Sequence, residues 1–529
     1  MSDLFRLNAL AQAGRLNRRE FIVGAVASGV TIAMASTMFS QIARAEPKKG
    51  GHFKIAMGSG STTDSIDPAT YIDTYLQVVG HAIHGYMTEV TNDGKLVGVL
   101  AESWEPSPDA TVWTFKLKPG VTFHNGKTVE AEDVVNSINH HRGADSKSAA
   151  KGIVDPIKDI KADGKDTVVF TLSGGNADFA YILSDYHLPI MPTKDGKTDA
   201  SGVGCGAYVL EGIEYGVTAR AKKNPNFFRS DRGWFDSAEF LSVKDVAART
   251  NALTTGEIHA MDRCDLKTVH LLERNQELEV VSVAGTQHYT VPMLVDTNPL
   301  SNVDVRLALK YAVDRQKLLD TILRGYGQLG NDHPISPANR YYAKDLEQRA
   351  YDPEKAKFHL KKAGMENLKI DLSTADAAFS GAVDTAVLYK EHAAAAGIDI
   401  NVIREPNDGY WDNVWMKKPW CFCYWSGRPT EDAMFSTTYA KGASWNDTHW
   451  DNAEFNTLLI EARAELDEAK RAQMYYRMQE LVRDDGGTVM PMFANYVNGI
   501  SKKVGHDQIG NSSDLDGLAC TERWWFNEA

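Results

Sequence analysis

Apolar and polar positions along the chain fall into two periods. Residues 112–117 (Val112-Trp113-Thr114-Phe115-Lys116-Leu117) alternate, as a half-buried strand requires, and 51–58, 167–172 and 207–210 also read as strands. Residues 218–222 read as the hairpin partner of 207–210, after a glycine-rich turn at 202–206. A polar loop at 59–67 ends at Pro68, and 71–86 then carries helical spacing through Tyr71, Tyr75, Val78, Val79, Ala82, Ile83 and Tyr86. Residues 100–109 read as a turn-rich segment leading into the strand at 112–117. A helix at 130–138 opens with acids in its first turn, where the helix dipole favours them.

Beyond residue 290 helix and strand alternate. A helix is predicted over 303–313, and a second opens on the cap-and-proline signal Asp352-Pro353-Glu354 and stops at Gly364. A strand at 368–372, a helix at 383–396 closed by Gly397, a strand at 398–403 and a helical hairpin at 455–466 and 473–482 follow. The whole reads as an α/β protein, and 529 residues are enough for two or three domains.

The first 45 residues stand apart. Arg18-Arg19 precedes an apolar stretch over 22–42, and Ala43-Arg44-Ala45 supplies a small-x-small exit, so residues 1–45 read as a signal peptide cleaved near Ala45. The paired arginines with Phe21 two places on resemble a twin-arginine signal. A membrane anchor is the alternative. No later stretch offers about 18 continuous apolar residues.

Charge narrows the classes of partner. The full chain carries a net −13, and without residues 1–45 it holds 52 basic and 68 acidic residues, a net −16. Nucleic acid and anionic membrane surfaces select basic footprints, so neither is an expected partner. The five cysteines, Cys205, Cys264, Cys421, Cys423 and Cys520, match no disulfide framework and read as small buried hydrophobes. The run Gly120–Thr128 misses a phosphate-binding loop, with five residues between its glycines where four are needed. No zinc-protease or nucleophile-elbow motif is present, so no catalytic residues are assigned. His81 and His84 lie one helical turn apart, a spacing that suits a metal, but the reading adopted is packed or solvated helix histidines; no cofactor and no metal set is assigned.

Several blocks in fixed order then carry a family likeness. Residues 100–104, the run Trp113-Thr114-Phe115-Lys116-Leu117-Lys118-Pro119-Gly120-Val121-Thr122-Phe123-His124-Asn125-Gly126-Lys127, and Ala131-Glu132-Asp133-Val134 resemble the dipeptide/oligopeptide/nickel solute-binding proteins (family 5) of ABC importers. So do 204–210, Lys223-Asn224-Pro225-Asn226-Phe227-Phe228, Gly256-Glu257-Ile258, the block 305–315, 352–356 and Trp425-Ser426-Gly427. The resemblance spans nearly the whole chain after residue 45. It implies the two-lobed periplasmic binding protein fold, with an extra inserted domain and a hinge between lobes. It implies lobe I at 46–88, 200–290 and 498–529, an inserted subdomain at 89–199, and lobe II at 291–497. It also implies a monomer outside the cytoplasm that captures a peptide or other small amino-bearing solute and delivers it to membrane permease subunits. A carrier of nickel or another metal complex, and a periplasmic enzyme, are the alternatives.

The site is expected where aromatics and a few charges converge. Trp425, Ser426, Gly427, Arg428, Glu431 and Asp432 follow a short strand into a loop. In peptide-binding relatives an acidic residue after the Trp-x-Gly turn pairs with the ligand's ammonium group, and Asp432 or Glu431 matches it here. Dipeptide binders also place an arginine after the strand that corresponds to 368–372; this chain has Asp376 and no arginine there, a departure that argues against a simple dipeptide ligand. Either Arg428 supplies the carboxylate clamp instead, or the ligand is cationic or is held mostly through its backbone and by aromatics. Tyr71, Asp73, Tyr410, Trp411 and Trp445 complete the expected set, with the aromatics as stacking or cation–π surfaces.

Overall fold

The structure is a computed structural model and describes residues 18–27, 47–407, 409–428 and 430–527. Arg18–Ala27 is a helix, and the expected cleavage site near Ala45 lies outside the described residues. Among the described residues no helix is long and apolar enough to cross a membrane.

Alternation places Phe53 and Ile55 of strand His52–Met57 inside, and that strand runs parallel to Ser237–Ser242 and to the short Ala260–Met261. The hairpin Tyr208–Glu214 and Thr218–Lys223 extends the sheet on one side. On the other side the antiparallel strands Thr488–Ser501 and Leu278–Pro292 continue it, with Cys423–Trp425 at the far edge. One apolar core packs against this sheet, from Phe53 to Ile83, Ala207 to Ala260 and Ile500 to Phe526. A second core lies around a four-stranded antiparallel sheet and holds Met87, Phe115, Phe170, Phe179 and Ile190. Further cores between residues 291 and 494 gather the predicted helices and the parallel pair Leu368–Thr374 and Ile398–Arg404.

Three local expectations are corrected. Ala101–Pro106 is a strand paired with Val112–Leu117, not a turn. It is the edge of its sheet, so its outward Glu102, Ser103 and Glu105 hide the pattern while Trp104 packs on Phe115. The helix expected over 71–86 is only Thr74–Ile83, because Asp73 caps it by accepting from Leu76 N–H. Glu431 and Asp432 lie in the first turn of helix Glu431–Thr438, capped by Thr430, rather than in a loop.

The family-like block at 305–315 fastens this fold. Lys310 Nζ donates to the carbonyls of Arg483 and Gly486, each at 2.8 Å, closing the end of helix Glu468–Asp484. Arg306 reaches the Asp485 carbonyl at 2.7 Å. Arg315 donates to both oxygens of buried Asp332 at 2.7 Å, and Arg349 Nε completes the cluster at 2.9 Å. These cations satisfy helix-terminal carbonyls and compensate the charge of a buried carboxylate.

Candidate ligand-binding cleft

A cleft of about 2300 Å³ opens between these bodies, larger than the roughly 300–1,000 Å³ of ordinary small-molecule sites. One wall comes from Tyr71, Asp73, Asp185, Tyr186 and Arg263, the other from Tyr424, Arg428, Asp432, Trp445 and Arg463. Leu278–Pro292 and Thr488–Ser501 pass behind it, both reaching the first core and the later ones. Their pairing shifts register between Ala284 and His288, near the cleft-lining Gln287 and Tyr496.

Of the residues expected at the site, Tyr71, Asp73, Ser426, Gly427, Arg428, Asp432 and Trp445 line this cleft. Tyr71 is buried and donates to the Ile66 carbonyl, so it shapes the wall. Asp73 accepts from Leu76 and Gly60 N–H and orders the loop before its helix. The structure places five others away from the lining. Glu431 is buried and accepts from Tyr341 N–H; burial pushes its carboxyl above the usual range. Tyr410 donates to the Phe422 carbonyl inside a core. Trp411 packs edge-on against Tyr424, which does line the cleft. Asp376 is exposed at a strand end. Trp425 is buried and donates its indole N–H to Asp447.

Asp432 carries a partner of its own. Arg463 Nε donates to it at 2.9 Å, and Arg463 also reaches Ser436 Oγ at 2.7 Å. Burial holds the Asp432 carboxyl above its usual range despite that pair. Arg428 donates to the carbonyls of Ser426 and Gly427 and has no carboxylate within 4 Å among the described residues. Burial lowers its guanidinium from its ordinary value. Arg263 lines the facing wall and donates to Thr74 Oγ1. No local pattern marked Arg263 or Arg463, because Thr74 and Asp514, which Arg263 reaches, and Asp432, which Arg463 reaches, lie far off in sequence.

Beside the cleft the second core reaches the later helices directly. Asp178, 2% exposed, accepts from Arg471 at 2.6 and 3.0 Å and from Arg340 at 2.8 Å. Ala177 N–H donates to the Arg463 carbonyl at 2.7 Å, so this contact adjoins the residue that neutralises Asp432.

An aromatic series runs from Trp445 at the cleft through buried Trp425 and half-buried Trp415 to exposed Trp411, with ring centroids 5.9, 6.0 and 5.8 Å apart from one to the next. Asp447 accepts from both inner indoles, and burial pushes its carboxyl up to about 7. A carboxyl whose folded value is raised stabilises the fold fully below pH ~4 and loses that contribution as pH rises through about 7. Asp447→Asn is therefore expected to flatten stability between pH 4 and 8, gaining up to roughly 3 kcal/mol on wild type across that range. Urea unfolding of both proteins at pH 5 and 8 measures it; parallel pH profiles would contradict it.

His81 and His84 line the cleft, and burial lowers them to about 4 and about 3, so both are neutral at pH 7. Among the described residues no group of three or more His, Cys, Asp or Glu is placed to hold a metal ion. All five cysteines are free and buried.

Residues 95–447 match the family described as bacterial extracellular solute-binding proteins, family 5 Middle. The chain belongs to that family. A dipeptide-binding protein of Escherichia coli (strain K12) is 25% identical to this family 5 protein over 449 residues, 77% of this chain and 82% of its own. A glutathione-binding protein of Pectobacterium atrosepticum is 25% identical over 495 residues, 90% of this chain and 94% of its own. Among solved structures, the ABC transporter-associated periplasmic binding protein DppA from Helicobacter pylori, in complex with the peptide STSA, matches with a TM-score of 0.74. It is 24% identical and covers 91% of this chain and 99% of its own, a likeness of fold.

Proposed function

We propose that this family 5 protein captures a peptide or peptide-like solute outside the cytoplasm and hands it to the permease of an ABC importer. The observation that carries this reading is the cleft of about 2300 Å³, with charged and aromatic groups on both walls. A solute touching both walls binds the closed arrangement more tightly than the open one, and that difference in affinity drives closure. The protein performs no covalent chemistry and acts as a monomer, without nucleic acid. Lobe I comprises 46–88, 200–290 and 498–529, residues 89–199 form an insert, and 291–497 form lobe II. Residues 1–45 direct export by the twin-arginine route; a fold whose five thiols are all free and buried suits passage of a folded chain.

Native mass spectrometry of the gently purified protein tests this reading. A retained peptide-like mass is the expected result. An empty protein with no melting shift across peptides, opines and polyamines would overturn it. A bound metal or metal complex would replace it with metal uptake.

A further inference from the structure

The charges of the cleft are compensated on one side only. Each largely buried carboxylate of the lining already has a cationic or imidazole neighbour within the protein. Asp432 takes Arg463 at 2.9 Å, Asp514 lies 3.8 Å from Arg263, and Asp185 lies 2.7 Å from His187. Glu89 holds Arg232 at 2.5 Å and Arg229 at 3.3 Å, and Glu522 lies 3.7 Å from Arg232. The other lining acids serve local structure or face water: Asp73 caps a helix, Asp265 accepts from the Lys267 backbone in a turn, and Asp384 is exposed.

Arg428 is the reverse case. Its side chain is half-buried, and among the described residues it donates to two carbonyls of its own loop and has no carboxylate within 4 Å. Asp185 and Tyr186 are the groups across the cleft that influence it electrostatically. A guanidinium in that condition gains most from a ligand carboxylate, which accepts two parallel N–H donors and supplies the missing charge. The same cleft presents apolar surface to solvent from both walls, through Ile72 at 79% exposure, Ile460 at 67% and Trp445 at 49%. Covering such surface favours binding in proportion to the apolar area removed from water.

We infer that the solute is held by a carboxylate on Arg428 and by an apolar body, and that it needs no free ammonium group. Arg463 stands beside Asp432 as a built-in cation, where an ammonium would otherwise be required. The ligand class is an amphiphilic carboxylate whose nitrogen can be acylated, such as an N-blocked dipeptide. The inference rests on the peptide-capture reading and narrows it.

Calorimetric titration with leucyl-leucine, N-acetyl-leucyl-leucine and leucyl-leucinamide tests it. N-acetylation is expected to leave affinity within about 3-fold, whereas amidation of the carboxylate weakens it about 10- to 100-fold, the loss of a charge-assisted hydrogen-bonded pair. Arg428→Gln should erase the difference between acid and amide. Arg463→Gln uncovers Asp432 and should make the free amine preferred over the N-acetyl form by about 10-fold. Wild type that loses more than about 10-fold on N-acetylation while tolerating amidation overturns the inference and leaves peptide capture standing. Failure of all three compounds to bind, to wild type and both variants, overturns the inference; peptide capture falls with it only where native mass spectrometry also finds the protein empty and peptides, opines and polyamines give no melting shift.

Discussion

Asp332→Ala is expected to destabilise the protein by about 3–5 kcal/mol, the largest single-residue loss anticipated in this fold. Asp332 is fully buried, and its carboxylate accepts from Arg315 at 2.7 Å, from Met490 N–H at 2.9 Å, and lies 2.9 Å from Arg349 Nε. Burial alone would push its carboxyl up, but the two guanidinium groups overcome that and hold it below the usual range. Removing it leaves two cations in a nearly water-free site, with side chains 3% and 1% exposed. Asp332→Asn keeps an acceptor for Met490 but not the charge, so its loss should be smaller. Urea unfolding followed by tryptophan emission measures both. A loss under about 1 kcal/mol for the alanine variant would mean that water reaches the cluster.

Asp178→Ala should act on the arrangement of the bodies as much as on their stability. The carboxylate belongs to the segment at 176–181, whereas Arg471 and Arg340 belong to the helical side beyond residue 291. Without Asp178, Arg471 remains 2% exposed and uncompensated unless the two sides part. Parting hydrates it, so the open arrangement gains up to roughly 3 kcal/mol, a factor of about 100 in population. Small-angle scattering of the solute-free protein is expected to show a larger radius of gyration for the variant. Exchange of the Ala177 amide, which donates to Arg463 at 2.7 Å, should accelerate while amides of strand Val112–Leu117 stay protected. An unchanged radius with uniformly faster exchange would instead mark a fixed interface that only weakens.

Much of this fold was legible where a short-range signal decides it. Asp352-Pro353 and Gly364 bracket helix Pro353–Lys362, and Gly364 takes φ +79°, a backbone state that suits glycine. Alternation at 112–117 marked a strand because one face is buried. The long strands Leu278–Pro292 and Thr488–Ser501 escaped because they pass between cores. Apolar positions therefore fall on both faces, and Gly285 and Asn495 interrupt the run. At the cleft, the residue types after Trp425 pointed to Arg428 and Asp432, which both line it. What short-range reading lacked was their state. The partner of Asp432 lies 31 residues on, at Arg463. Glu431, adjacent in sequence, turns into the core because successive residues of a helix face different ways.

The row of indoles has a use beyond packing. Four of the chain's 11 tryptophans, Trp445, Trp425, Trp415 and Trp411, stand about 6 Å apart from each to the next, close enough for excitation to migrate among them. Trp445 is half in water at the cleft end. A solute settling against it would strip that water, so this protein carries an intrinsic, dye-free optical gauge of cleft occupancy.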